Sequence, residues 1–422
     1  MDKSAKSQVV VFVLSFMCTV ARHSAMEGWY MAKPEVDGKL GFSPSFLGLL
    51  DSAFLLCYAT GNYASGILAD KYSIRYVVPT GMLLSAFLYL GVIFCSFASL
   101  GSKTLFLILF ALMGLCQSTI WPGTVAIMGN WFSKEKRGRV MGFWSTNAAA
   151  GNIVGSQLSA IFFSFGVRWE VVGLILVTQL AVVGLLFLWM ARDRPPNEIL
   201  AVESNSDEET KAEEQVGFAA SWQLPGVRPY AFSFGCVKML NYGVMMWLPY
   251  FLVVKIGLEG EVEGSITSSY DVGGILGAIL AGYLSDKVPQ RCIVLVPMLV
   301  LSLPVLFLFR LGNEETYYIF FVLVPTLGVL VNGSSAIISS AVANDLADAR
   351  AMSTVAGIID GSGGIGASLG QLIIGALQEY GWSSVFYFMM VVAFFSVSAL
   401  SPMTLRAFIT SRSSHVELKH LS

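Results

Sequence analysis

The chain has 422 residues, 55% of them hydrophobic and 13% charged, with a mean hydropathy of +0.68 and a net charge of -2. A soluble globule carries roughly 25% charged residues, so this composition excludes one and points to a protein that crosses the bilayer many times. The balanced charge, without a basic stripe, argues against nucleic acid as a partner. Six cysteines (Cys18, Cys57, Cys95, Cys116, Cys236, Cys292) show no CxxC or metal-like spacing and read as small packing residues.

A helix needs about 20 mostly apolar residues to cross the hydrocarbon. In chain order, segments of that kind fall near residues 8–31, 46–69, 76–98, 104–128, 138–164 and 169–190. The first is too long for a cleaved signal peptide and is expected to stay in the mature protein. Residues 192–217 then turn polar, with Arg192, Asp193, Arg194, Pro195, Pro196 and an acidic run from Glu203 to Glu214, which reads as a disordered linker. Further segments lie near 229–254, 263–285, 292–311, 316–343, 351–377 and 382–405. The expected fold is an all-α membrane protein of twelve transmembrane helices in two pseudo-symmetric six-helix bundles. The expected domains are residues 1–191, a cytoplasmic linker 192–228, residues 229–406 and a cytoplasmic tail 407–422.

Of the 26 Lys and Arg, eighteen fall on the side that holds both termini and the linker, six on the other, and two inside apolar runs. The cationic side is the cytoplasmic one. The endoplasmic reticulum is one candidate membrane among several.

The two intramembrane cations are Arg22 and Lys238, 216 residues apart. The same displacement carries Gly66-x-Leu68-x-Asp70-Lys71-x-x-x-Arg75 onto Gly282-x-Leu284-x-Asp286-Lys287-x-x-x-Arg291. The halves are therefore a duplication, and the cations occupy equivalent places in it. A charge at bilayer depth costs roughly 2.5–3.5 kcal/mol even on lenient scales, so it survives only where it meets a cavity, a partner or a ligand. Parallel six-helix repeats with a ligand site near the midplane are a transporter architecture.

The doubled loop motif resembles the signature of the major facilitator superfamily. Within it, several stretches resemble the organophosphate:phosphate antiporters, including eukaryotic sugar-phosphate exchangers and the bacterial glycerol 3-phosphate transporter. They are Gln117-x-x-x-Trp121-Pro122, Gly129-Asn130-Trp131-Phe132, Lys134-x-Lys136-Arg137-Gly138, Trp144 with Gly151-Asn152, Trp247-Leu248-Pro249, Asp271-Val272-Gly273-Gly274, and Ser353-Thr354-Val355 with Ile358-Ile359-Asp360-Gly361. The resemblance implies that a basic residue of the first helix and one of the seventh meet on the substrate phosphate. Arg22 matches the first; Lys238 matches the second in the eukaryotic pattern, whereas the bacterial members carry an Arg that counting back from Trp247 puts nearer Asn241. The sequence departs from relatives on the fifth helix, where Trp144 is followed by Ser145, Thr146, Asn147 and Ala148 rather than a nearby His, and on the second, where Gly61 replaces a Lys. The organic part of the substrate is the element these departures leave open.

The chemistry suits such a ligand, since a phosphate monoester carries between one and two negative charges near neutral pH. An Arg offers two oxygens a planar fork and a Lys offers a point charge. Trp121, Asn147, Asn241, Tyr242 and His23 are the expected further substrate contacts; Tyr30, Tyr58, Tyr63 and Tyr270 lie at similar depths. Asp70, Lys71, Arg75 and Arg137, with Asp286, Lys287, Arg291 and Arg350, are expected to gate the cytoplasmic face, Asp70 through Arg75 or Arg137. The Gly361-Ser362-Gly363-Gly364-x-Gly366 run lacks the ending of a phosphate loop and reads as close helix packing. The expected activity is exchange of an organic phosphate ester for inorganic phosphate by a monomer in lipid. No enzyme activity, cofactor or metal is expected. Two alternatives stand beside it: a proton-coupled carrier using Glu27, Asp51, Asp271 or Asp360, and a non-transporting phosphate sensor.

Overall fold

The computed structural model describes residues 3–132, 140–195, 218–346 and 352–420. Among these, the chain forms twelve helical segments of 18 residues or more. In the first half they are Lys3–Leu40, Pro44–Lys71, Ile74–Phe97, Lys103–Trp131, Asn147–Ser164 and Trp169–Met190. In the second they are Val227–Ile256, Glu261–Ser285, Cys292–Phe309, Phe320–Ile337, Met352–Gln378 and Trp382–His420. They are called the first to twelfth spans below. The fourth is broken by a turn at Ser118–Thr119, and the seventh ends in a wider π turn, Leu252–Ile256. Ser43 and Ser102 cap the second and fourth spans by accepting from Phe46 and Leu105, as short hydroxyl side chains do at helix starts.

Eight of the spans are long and apolar enough to cross a membrane. The less apolar four are the second, fifth, eighth and eleventh, which are equivalent pairs in a six-plus-six duplication. Their lower hydropathy comes from Gly and Ser together with polar residues such as Asp51, Gln157, Asp271 and Asp360, and the small residues allow backbones to approach without lipid-like side chains between them.

The chain divides into two compact units, one holding the first six spans together with Pro249–Ser268, the other holding the rest of the second half. In the first unit, the first span packs on the fifth and sixth, the second on the fourth, and the third on the sixth. A side chain on Gly151 would meet the Val20 carbonyl at 2.6 Å, and one on Gly155 the Ser24 carbonyl at 2.6 Å. Within this unit the Tyr250 hydroxyl donates to Asp37 (2.6 Å) and the Gln157 amide to the Gly264 carbonyl (3.0 Å).

The second unit repeats the pattern. Its ninth span packs on the tenth and twelfth, and Gly366 and Gly370 press the eleventh span onto the seventh at Gly235 and Met239. The glycine-rich run is thus a helix contact, as its sequence suggests. In the first unit Gly114 lies against the Phe54 carbonyl (2.3 Å from an added Cβ); in the second Gly328 lies against that of Tyr270 (2.2 Å). Phe54 and Tyr270 are 216 residues apart, so the duplication extends to individual backbone contacts. All six cysteines are free and none is exposed.

Candidate substrate site

Arg22 sits midway along the first span and is 7% exposed. Its Nε donates to Gln117 Oε1 (3.2 Å) from the fourth span, and its Nη1 lies 2.9 Å from His23 Nε2. The Tyr58 ring of the second span stacks 4.6 Å from its Cζ. Gln117 is itself fully buried and anchored by donating to Ser85 Oγ on the third span (2.9 Å). A guanidinium only donates, so His23 Nε2 accepts and the ring proton sits on Nδ1, which faces Asn152 Oδ1 on the fifth span at 3.1 Å. Gly151 makes this possible, because a side chain there would collide with His23 Cβ at 2.6 Å.

Every group that touches Arg22 among the described residues is neutral. The contrast within the same unit is sharp. Lys33, fully buried on the same helix, forms an ion pair with Asp51, whose other oxygen accepts from Trp29 (3.2 Å). Near the opposite helix ends, Lys39 and Arg168 both pair with Glu170. Intramembrane charges ordinarily find a counter-ion; Lys33 does, and Arg22 does not among the described residues.

Lys238 is half-buried in the second unit. Its Nζ lies 5.2 Å from the Phe234 ring and 5.4 Å from the Tyr242 ring, within cation–π range. Among the described residues it has no ion pair within 4.0 Å, although Asp360 of the eleventh span is within electrostatic reach. Of the expected contacts, Tyr242 therefore stands beside Lys238, while Asn241 accepts from the Tyr270 hydroxyl at 2.9 Å.

Trp121 is 38% exposed and stacks on the fully buried Trp144 (5.3 Å between centroids), whose indole donates to Ser15 (3.0 Å). Asn147, one turn before Gly151, is 0% exposed, and neither atom of its amide has a hydrogen-bond partner among the described residues. Leaving an amide buried and unpaired costs about 1–3 kcal/mol.

The loop motif does different work in its two copies. In the first, Arg75 donates to the Leu188 (2.8 Å) and Trp189 (3.3 Å) carbonyls at the end of the sixth span. Asp193 just beyond that end accepts from the backbone N–H groups of Ile74 (3.1 Å) and Arg75 (2.9 Å). Each helix end is capped by the other's polar residue, a favourable use of both helix dipoles. Asn130 and Trp131 donate to the carbonyls of Asp193 and Arg192 and secure the same junction. In the second copy, Arg291 bonds Asp345 (2.5 Å) and Ser285 (3.1 Å) and lies 3.7 Å from Asp286. Lys287 turns onto Tyr283, and Lys71 is exposed at its helix end. The Asp70 side chain, Arg137 and Arg350 lie outside the described residues.

Arg22, Lys238, His23 and Asn147 stand out in the sequence, whereas the roles of Gln117, Asn152 and Ser85 emerge only from the fold. The signal was present, since Gln117 and Asn152 are amides in otherwise apolar runs.

The Major Facilitator Superfamily model matches residues 11–371 and 264–419. A putative glycerol-3-phosphate transporter 3 of Arabidopsis thaliana is 34% identical over 439 residues, covering 92% of this chain and 85% of its own. Sugar phosphate exchanger 3 of Gallus gallus is 32% identical over 403 residues, covering 86% and 79%. A glucose-6-phosphate exchanger of Danio rerio is 34% identical over 382 residues, covering 81% and 76%. Among solved structures, a bacterial homologue of the human lysosomal transporter Spinster, inward-facing and unoccupied, superposes with a TM-score of 0.72 at 15% identity over 97% of this chain and 99% of that one. That likeness shows the fold.

Proposed function

Because the chain belongs to the major facilitator superfamily, as a multi-pass membrane transporter of its organophosphate:phosphate antiporter family, we propose that it exchanges an organic phosphate ester for inorganic phosphate. The ester is a sugar phosphate or glycerol 3-phosphate, the cargoes named for its relatives. One observation carries the reading. Each half of the duplication contributes one intramembrane cation at the equivalent place, and neither has an ion-pair partner among the described residues.

The charges set the coupling. Without substrate, Arg22 and Lys238 are each a charge in a poor dielectric, and a change of facing that strips either of water is unfavourable. A phosphate group between one and two charges negative offsets them. Its oxygens replace lost hydration with charge-assisted hydrogen bonds, for which an Arg offers a fork and a Lys a point charge. The loaded carrier then changes its facing readily and the empty one rarely, which makes transport an exchange. Trp121, Asn147, Tyr242 and Asn241 are the groups left to read the organic part. Both termini and the linker lie in the cytoplasm, and an internal membrane such as the endoplasmic reticulum is a fitting location.

The test is uptake of labelled glycerol 3-phosphate and glucose 6-phosphate into reconstituted vesicles. Vesicles preloaded with inorganic phosphate are expected to take up at least one ester at least 10-fold faster than empty ones. Equal rates, or uptake that follows a pH gradient into empty vesicles, would rule out exchange.

A further inference from the structure

We infer that Gln117 is the positioning residue for Arg22, holding the guanidinium in place with a neutral amide so that its charge is kept for the substrate. The inference rests on the proposal that Arg22 binds phosphate.

The geometry is specific about which end of the amide does what. Arg22 Nε only donates and Met26 Sδ, 3.6 Å from Gln117 Nε2, only accepts, so turning the amide over would set donor against donor and acceptor against acceptor; Nε2 therefore donates to Ser85 Oγ at 2.9 Å. Oε1 then faces Arg22 Nε at 3.2 Å, with Ser85 holding the other end of the amide. His23 Nε2 accepts from Nη1 at 2.9 Å on the adjoining edge. The guanidinium is thus gripped at two of its nitrogens by oxygen and nitrogen lone pairs that carry no formal charge. Its Nη2 has no hydrogen-bond partner among the described residues.

The alternative design is visible ten or so residues along the same helix, where Lys33 is held by the carboxylate of Asp51. A carboxylate would hold Arg22 more tightly than an amide does, because it adds the attraction of opposite charges in a poor dielectric to the hydrogen bond. It would also satisfy the guanidinium permanently, and an incoming phosphate would have to displace it. An apolar residue would leave the charge available but the long side chain unplaced. Only a neutral acceptor, itself oriented from behind, meets both needs, and Gln117 with Ser85 supplies that combination.

The size match between Gln and Glu makes this testable. Full-length chain carrying Gln117→Glu, Gln117→Met or Ser85→Ala is reconstituted. The half-saturation concentration and maximal rate of exchange are measured with glycerol 3-phosphate or glucose 6-phosphate, whichever the wild type exchanges faster. The expected half-saturation order is wild type, then Ser85→Ala (about 2- to 5-fold higher), Gln117→Met (about 5- to 10-fold) and Gln117→Glu (about 30-fold or more). Maximal rates of the first two variants are expected to stay within about 3-fold of wild type. A purely structural amide reverses the order: Glu keeps the shape and can still bond Ser85 and Arg22, so Gln117→Glu would behave as wild type while Met would not. That reversal overturns the inference.

Substrate-induced thermal stabilisation of the purified protein gives a second reading, expected to be lost in Gln117→Glu even if transport is too slow to follow. Should Gln117→Glu fail to insert, an unchanged half-saturation in both Gln117→Met and Ser85→Ala overturns the inference equally. Arg22→Ala separates the two levels. If it leaves half-saturation unchanged, the phosphate assignment itself falls. If it impairs exchange while Gln117→Glu does not, only the role of Gln117 falls.

Discussion

Arg22 and Lys238 stand at the same place in two copies of one unit, yet they are different cations held in different ways. Arg22 is fixed by two hydrogen bonds and an aromatic face, whereas Lys238 lies between the Phe234 and Tyr242 rings. An ammonium cannot reproduce the fork or reach both acceptors. Arg22→Lys is therefore expected to raise the half-saturation concentration about 10-fold or more, and Lys238→Arg to cost less, about 3-fold, because the rings accept a guanidinium face. If both swaps leave exchange intact and change only thermal stability, the cations are structural. Asn147 gives a second residue-scale prediction. An amide unsatisfied in the protein has no hydrogen bond to lose, so Asn147→Leu is expected to keep or slightly raise thermal stability. It should shift the preference between glycerol 3-phosphate and glucose 6-phosphate by about 5-fold or more. Unchanged selectivity in a counterflow panel would remove Asn147 from the substrate contacts.

At the scale of elements, glycine and helix ends decide how the spans meet. The eleventh span reaches the seventh through Gly366, where an added Cβ would lie 2.1 Å from the Gly235 carbonyl. Nothing in a backbone carbonyl can give way, so Gly366→Leu forces the helices apart. Overpacking of this kind costs about 1–3 kcal/mol or more. The expected outcome is a lower unfolding temperature in detergent, together with weaker exchange because Lys238 rides on the displaced helix; an unchanged unfolding temperature would contradict the close contact. Arg75 and Asp193 bind the start of the third span to the end of the sixth. Arg75→Ala removes the cap on the Leu188 and Trp189 carbonyls. Hydrogen exchange measured by mass spectrometry should rise at residues 186–190 while the first span stays protected. The sequence pointed to Arg75 as a gate residue but not to these carbonyls, since a backbone partner more than a hundred residues away leaves no mark in the local pattern.

At the scale of the whole molecule, the prediction concerns orientation. Tags at both termini and within residues 192–228 should all be cleaved by protease on the cytoplasmic side and protected from the other. A split result would reverse the reading of the Lys and Arg bias. The spans, the doubled loop motif and the equivalence of Arg22 with Lys238 were legible in the sequence, because bilayer thickness fixes helix length and a gapless repeat fixes register. What only the tertiary structure decided is the electrostatic state of each charge. Lys33 and Arg22 are both buried cations on one helix, Arg22 within its apolar run and Lys33 just beyond it, and neither position reveals its partner. Folding brings a carboxylate from the second span to Lys33 and an amide from the fourth to Arg22. Pairing depends on which side chains distant in sequence converge, and that convergence is a property of packed helices.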